Sequence, residues 1–213
     1  MNSLQVAALS MALLLPGLCY AQGTTPDSSN QSSQLGAEQA AQMVPARAYL
    51  ANKLDAKDAR PGTQFTANLS QAVQLKNGPK LPRGTELVGT VATDDMQLKG
   101  NSKLALRITQ AHLKDGTTIP VKATIFGVWG PGSETAQGYN VAAGDEEPND
   151  WTPRMLSVDE LDAMSGVDLH SRISGENSGV FVAKKKDNVK ISAGSEFALA
   201  IAERGKGLQQ NTN

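Results

Sequence analysis

Three segments of the chain begin with the same pattern: a glycine, a hydroxyl residue, a polar residue and then alternating apolar positions. Glycine lets the backbone turn sharply, and the period of two that follows is typical of a strand with one buried face. A chain that uses this pattern three times is expected to form a small β-barrel or β-sandwich from many short strands. The segments are residues 62–69, 84–91 and 194–201.

Residues 1–21 have the composition of a secretory signal peptide. They carry no charged side chain, and their apolar run over 6–15 ends at Pro16. Cys19 and Ala21 supply the small residues expected at a cleavage site after position 21. The run is shorter than the roughly 20 apolar residues that a membrane-spanning helix needs. We therefore expect a periplasmic or secreted protein with no membrane span after cleavage, and a retained signal anchor is the alternative.

The mature chain offers little for metal, cofactor or nucleic-acid binding. Cleavage removes Cys19, the one cysteine, so no disulfide is expected. His112 and His170 are the two histidines and lie far apart in sequence, without zinc-ligand spacing. The acidic run 145–150 lacks the ligand order of a calcium loop. The net charge of −1 predicts no bulk attraction for nucleic acid or anionic membranes.

The composition divides the chain into a tether, one domain and a tail. Residues 22–45 are rich in small polar residues and predict a disordered tether. Residues 46–203 predict one all-β domain, a barrel or sandwich of about 8–10 mostly antiparallel strands. A long polar loop over 130–156 interrupts this domain, and the polar residues 204–213 predict a disordered tail.

A short helix is predicted over 157–165, directly after the long loop. Ser157 and Glu160 have the spacing of a capping box. Leu156 and Leu161 have the positions of a hydrophobic staple, and Gly166 suits the residue after a helix end.

The alternating strand patterns also predict the core. In each strand the larger apolar residues fall on one face, and that face should be buried. The residues predicted to be in the core are Leu87, Val91, Leu106, Ile108, Ile125 and Phe197.

Asp168, His170 and Ser178 form the sharpest catalytic hypothesis in the sequence. Asp168 and His170 are two apart on a predicted strand and share a face, and Ser178 lies in the following turn. A carboxylate, an imidazole and a hydroxyl grouped in this way form the catalytic triad of a serine hydrolase. However, residues 175–179 do not match the G-x-S-x-G elbow, so we assign no catalytic residue and keep the hydrolase as an alternative. The basic run 184–186 is interpreted as a solvated strand end, with anion binding as its alternative.

Several pieces of the chain carry a family resemblance through their order. They are Pro61-Gly62 with its following strand, residues 81–89, 103–108 and 114–121, and residues 189–195. This order resembles the C-terminal β-barrel domain of TrbI-like proteins, the scaffold components of conjugation and type IV secretion channels. The resemblance covers about residues 46–130 and 178–202. It implies a β-barrel, a location in the cell envelope and a protein partner.

The chain also departs from that family. A signal peptide and a short tether replace the family's inner-membrane anchor and proline-rich arm, and the insertion at 130–166 is polar where the family has an apolar membrane-crossing segment. The Asp-Leu-His-Ser and Asn-Ser-Gly-Val-Phe-Val patterns at 168–171 and 177–182 are similar to those of short secreted proteins of soil bacteria.

We therefore expect a non-catalytic, exported structural or interaction module of the bacterial cell envelope. It should bind another protein through its barrel surface or its long loop. The alternative is a small-ligand or glycan-binding module that uses a cavity beside the long loop.

Overall fold

The computed structural model describes residues 39–133, 157–184 and 187–205. The predicted signal peptide, the first part of the tether, most of the long loop with its acidic run, and most of the C-terminal tail lie outside these ranges. So do Lys185 and Lys186 of the basic run and Leu156 of the predicted staple.

The described residues form thirteen strands and one short helix at 39–42, so the predicted all-β class is confirmed. The strands are β1 Val44–Leu50, β2 Leu54–Asp55, β3 Gln64–Leu69, β4 Val73–Gln74, β5 Lys80–Leu81, β6 Glu86–Ala92, β7 Lys103–His112, β8 Thr118–Trp129, β9 Ser157–Met164, β10 Val167–Arg172, β11 Gly179–Ala183, β12 Lys190–Ile191 and β13 Glu196–Glu203.

Six strands close into an antiparallel barrel. Their order is β6-β3-β1-β13-β8-β7, and pairing between β7 and β6 completes the ring. Closure gives each of these six strands a neighbouring strand on both sides. The short pairs β2–β12 and β4–β5 form two further small sheets.

The sheet forks where β7 and β8 separate. Pairing between these two strands covers only 110–112 against 118–120. Beyond that point β11 pairs with 103–106 of β7, and β10 and β9 follow in order. The three strands β11, β10 and β9 therefore form an extension of the barrel sheet, which we call the extension.

The three glycine-led segments adopt the same turn. Gly62, Gly84 and Gly194 have φ angles of +93°, +78° and +78°, which glycine adopts without steric cost. In each turn the residue after the glycine donates a backbone hydrogen bond to the residue three positions earlier, as in a β-turn. Each glycine amide also donates to the end of a neighbouring strand, at Val91, Leu69 and Leu50 respectively. The turns start β3, β6 and β13, as the sequence predicts.

A single apolar core fills the barrel and continues into the extension. All six predicted core residues are buried in it. Phe181 of β11 and Phe197 of β13 have ring centroids 6.3 Å apart, so the extension and the barrel share this core. Aromatic pairs at such distances add to the free energy gained from burial.

A second apolar cluster covers the outer face of β13 and corrects the predicted end of the tether. Ala198, Ala200 and Ala202 form a flat face of small side chains, and Ala40 and Met43 pack against it. Burial of these two residues favours order, so helix 39–42 and the start of β1 at Val44 replace the disordered chain expected up to position 45.

The predicted helix over 157–165 is wrong: Ser157–Met164 is strand β9, which pairs antiparallel with β10. Gly166 has φ +73°, but it lies in the tight turn of the β9–β10 hairpin. A helix end and a hairpin turn both use a residue with positive φ, so the glycine gives the same signal for either. The ladder to β10 supplies the backbone partners that a helix would have made internally.

Candidate functional site

Asp168 and His170 share one face of β10, as the sequence predicts, but each has a partner outside the proposed triad. The His170 Nδ1 atom lies 2.7 Å from Asp159 Oδ1 on β9. Asp168 Oδ1 accepts a hydrogen bond from the Asp162 amide at 2.8 Å and lies 3.2 Å from Lys184 Nζ. These contacts hold the three strands of the extension together.

Ser178 makes hydrogen bonds that stabilise the fold. The residue is 1% exposed, and its hydroxyl oxygen accepts a hydrogen bond from the Ile108 amide at 2.9 Å. Its own amide donates to the Leu106 carbonyl, and its carbonyl accepts from the Ile125 amide, both at 2.7 Å. Ser178 therefore bridges β7 and β8 at the fork. The described residues do not bring Ser178, His170 and Asp168 into hydrogen-bond contact with one another, and a nucleophile and its base need that contact.

A polar network ties the turn before β11 to the loop between β6 and β7. The Asn177 side-chain amide donates to the Thr93 carbonyl and to Asp95 Oδ1, each at 2.8 Å. Asp95 Oδ2 accepts from the amides of Glu176 and Asn177 at 2.9 and 3.2 Å. The two halves of this network lie more than eighty positions apart, so no local sequence pattern predicts it.

Lys184 is the residue of the basic run that the structure describes. Its side chain forms ion pairs with two aspartates, so it is not free for anion binding. Its Nζ atom lies 2.8 Å from Asp162 Oδ2 and 3.2 Å from Asp168 Oδ1. The hydrogen bond to Asp162, followed in weight by that to Asp168, raises the pKa of Lys184. The pKa of Asp162 is lowered in return, chiefly by the same contact.

The histidines lie apart in the structure as well. The His112 Nε2 atom is 3.1 Å from Gln110 Oε1 on β7, whereas His170 lies on β10. Within the described ranges, no three side chains from His, Cys, Asp and Glu are grouped so that they could hold a metal ion. No helix in the same ranges is long and apolar enough to cross a membrane.

The extension ends in strand β9, which is the last strand in the sheet order. In the part of the chain that the structure describes, no strand pairs with its outer edge. Leu161 on this strand is 69% exposed and Tyr49 on β1 is 45% exposed; these are the exposed large apolar side chains of the described residues.

A cavity of about 460 Å³ lies between the end of β8 and the β9–β10 hairpin. It adjoins Gly130, Pro131 and Ser133, where the long loop begins. This is the place at which the ligand-binding alternative predicts a cavity. A second cavity, of about 410 Å³, lies beside the β6–β7 loop. The ion pair between Lys103 and Asp94 lines it, with a distance of 2.8 Å.

Comparison with known proteins finds similarity among solved structures. No family model matches the chain, and no curated protein matches it. Among solved structures, the chain is similar to ComB10 of the Com type IV secretion system of Helicobacter pylori. The TM-score is 0.34 and the identity 12%, over 74% of this chain and 83% of the other.

Proposed function

We propose that this protein is a non-catalytic structural and interaction module of the bacterial cell envelope. It is exported by its signal peptide and binds a partner protein through the outer side of the extension. The observation that carries the proposal is the outer edge of β9, which no described strand pairs with, together with the exposed Leu161 side chain.

The barrel differs from β9 in this respect. Each of its six strands has a neighbouring strand on both sides, and apolar side chains fill the space between them. On the outer face of β13, Ala40 and Met43 already cover the small residues. Strand β9 lies outside the barrel and exposes the large apolar side chain of Leu161 to water. This exposure is unfavourable in free energy, and contact with a partner would remove it.

The charges on β9 favour contact through side chains. Asp159 is paired with His170 and Asp162 with Lys184, so two of its three carboxylates have partners within the extension. Asp162 has φ +56°, and the pairing with β10 shifts register nearby. Charges and irregular backbone on an edge strand discourage the addition of a further strand. The partner should therefore offer an apolar pocket with a polar rim for Leu161.

Site-specific photo-crosslinking tests this surface. A photoreactive residue is placed at Leu161 or, as the matched control, at Tyr49, which is exposed on barrel strand β1. In intact cells, position 161 should give a discrete crosslinked partner and position 49 should not. The same adduct at both positions, or none at 161, would contradict the proposal.

Export is tested separately by fractionation and mass spectrometry. The mature protein should begin near Gln22 and appear in the periplasmic or secreted fraction, because Cys19 and Ala21 precede the cleavage site. An intact Met1 in the membrane fraction would show that the signal is retained as an anchor.

A further inference from the structure

The cavity beside the β9–β10 hairpin holds polar groups that the fold does not use. Its volume of about 460 Å³ falls within the roughly 300–1,000 Å³ of small-molecule sites. Four serines line it, and Trp129 and Glu160 are also in its lining. The serines are Ser133, Ser165, Ser192 and Ser195.

Ser195 has a buried hydroxyl without a hydrogen-bond partner among the described residues. The residue is 1% exposed, and its Oγ atom finds no donor or acceptor within those ranges. Thr63 has the equivalent position in another of the glycine-led turns, and there the hydroxyl oxygen accepts a hydrogen bond from the Arg60 amide at 3.0 Å. The turn at Ser195 forms without an equivalent hydrogen bond, so the Ser195 hydroxyl is not needed to build it. A buried polar group without a partner costs free energy, and here it borders a cavity.

Glu160 is the second unused group. It lies on β9 and is half-buried, and its carboxyl makes no hydrogen bond or ion pair with the described residues. Burial raises the pKa of this carboxyl. A ligand that donates hydrogen bonds would replace the water that burial removes.

The other charged groups of the cavity are already neutralised. Lys190 Nζ lies 3.4 Å from Asp55 Oδ2, and Asp162 Oδ2 lies 2.8 Å from Lys184 Nζ. The cavity thus contains several hydroxyl groups and one carboxylate, that of Glu160, without a partner among the described residues. This combination suits an uncharged ligand with many hydroxyl groups better than an anion.

Trp129 lines the cavity at the end of β8 and packs against the apolar cluster on the outer face of β13. A side chain on Gly127 would meet the Trp129 ring at 2.7 Å, so the glycine lets the ring lie close to β8. An indole ring offers a flat apolar face next to polar groups, and the C–H face of a sugar ring complements it.

We propose that this cavity binds a sugar, with Glu160 and Ser195 accepting and donating hydrogen bonds to its hydroxyl groups and Trp129 against its ring. The site is independent of the partner surface at Leu161, so it goes beyond the proposed function and does not depend on it.

Titration calorimetry on the mature full chain tests the site with defined probes. The probes are cellobiose, maltose and chitobiose as uncharged disaccharides and glucose 6-phosphate as the anionic control, each at up to roughly 10 mM to include millimolar affinities. At least one uncharged disaccharide should bind, and glucose 6-phosphate should bind more weakly than that sugar. No binding by any of the three sugars, or tighter binding of the phosphate, would overturn the proposal.

Three variants separate a binding role from a structural one. Glu160→Ala and Ser195→Ala should each weaken sugar binding at least tenfold, while the melting temperature of Ser195→Ala stays equal or rises because an unpaired polar group is removed. Ser171→Ala is the matched control, since Ser171 also has a buried hydroxyl without a partner but does not line the cavity. Its sugar affinity should be unchanged. Equal affinities of Ser195→Ala and Ser171→Ala for the sugar would contradict the assignment.

Discussion

The hydroxyl oxygen of Ser178 accepts a hydrogen bond from the backbone amide of Ile108 at the point where β7 separates from β8. Strands that diverge in this way leave backbone groups without ladder partners, and such groups are costly when buried. Ser178 supplies partners on both sides, through its hydroxyl, its amide and its carbonyl. The residue that the sequence offers as a nucleophile thus connects the barrel to its extension.

Replacing Ser178 with alanine should destabilise the domain by about 1–3 kcal/mol, because the Ile108 amide is left buried without an acceptor. Denaturant unfolding measures the change. Ser171→Ala removes a buried hydroxyl that has no partner and should change the free energy of unfolding by no more than about 0.5 kcal/mol. Equal effects of the two substitutions would mean that the Ser178 hydroxyl is not part of the fork.

Asn177→Asp should loosen the contact between the turn before β11 and the β6–β7 loop. The substitution replaces the amide that donates to Asp95 with a carboxylate, so that two negative groups face each other. We expect a loss of about 2 kcal/mol or more at neutral pH that becomes smaller on acidification, since like charges favour protonation of one carboxylate. Thermal melts at several pH values measure this. The same substitution at the exposed Asn68 should leave the melting temperature nearly unchanged and show no such pH dependence.

Asp55 should contribute to acid unfolding. The Lys57 amide donates to its Oδ1 atom at 3.0 Å, and this hydrogen bond, followed by that from the Asn188 side chain, lowers the pKa of Asp55 below its ordinary value of 3.8. A carboxyl whose folded-state pKa is lowered adds stability above its unfolded-state pKa and loses it as the pH falls through the folded-state pKa.

Asp55→Asn should therefore be less stable than the unmodified protein at neutral pH, and the difference should shrink below about pH 4. Melting temperatures across this range provide the measurement. Asp58→Asn changes an exposed residue in the turn after β2 and is the control. Its melting temperature should equal that of the unmodified protein at each pH. A difference that stays constant down to the lowest pH would rule out ionisation of Asp55 as its cause.

The glycine-led turns and the core could be predicted from the sequence because both depend on local features. Gly62, Gly84 and Gly194 need positive φ angles, and the alternation that follows fixes which side chains are buried. The strand β9 could not be predicted in the same way. Ser157, Glu160 and Gly166 are compatible with a capped helix, and only the pairing with β10 makes this segment a strand.

The candidate sites depended even more on contacts distant in sequence. Asp168 and His170 do share a face, as predicted, but their partners come from β9 and from Lys184. The role of Ser178 depends on its contacts with β7 and β8, which lie about seventy and fifty positions earlier in the chain, and no sequence motif around Ser178 predicts these contacts. The cavity was expected beside the long loop, yet Ser195 reaches it from the start of β13.

The long loop should be dispensable for folding. The six barrel strands pair with one another within the described ranges, and shortening a loop changes its closure entropy by only about 0.6 kcal/mol per halving. A Gly-Ser linker in place of 134–147 should keep the melting temperature within a few degrees. Replacing 94–97 with Gly-Ser residues is the contrasting control and should lower it, because Asp94 and Asp95 tie that loop to the domain. Unfolding of the first variant would show that the loop belongs to the core.

The central claim, that the protein binds a partner through the outer side of the extension, is tested most directly by affinity. Once crosslinking at position 161 has identified the partner, its affinity for the purified mature chain is measured by titration calorimetry for the unmodified protein, Leu161→Asp and Tyr49→Asp. Leu161→Asp should weaken binding at least tenfold with an unchanged melting temperature, because truncating a central apolar contact costs upwards of about 1.4 kcal/mol. Tyr49→Asp should leave the affinity unchanged. Equal affinities for all three proteins would contradict the account.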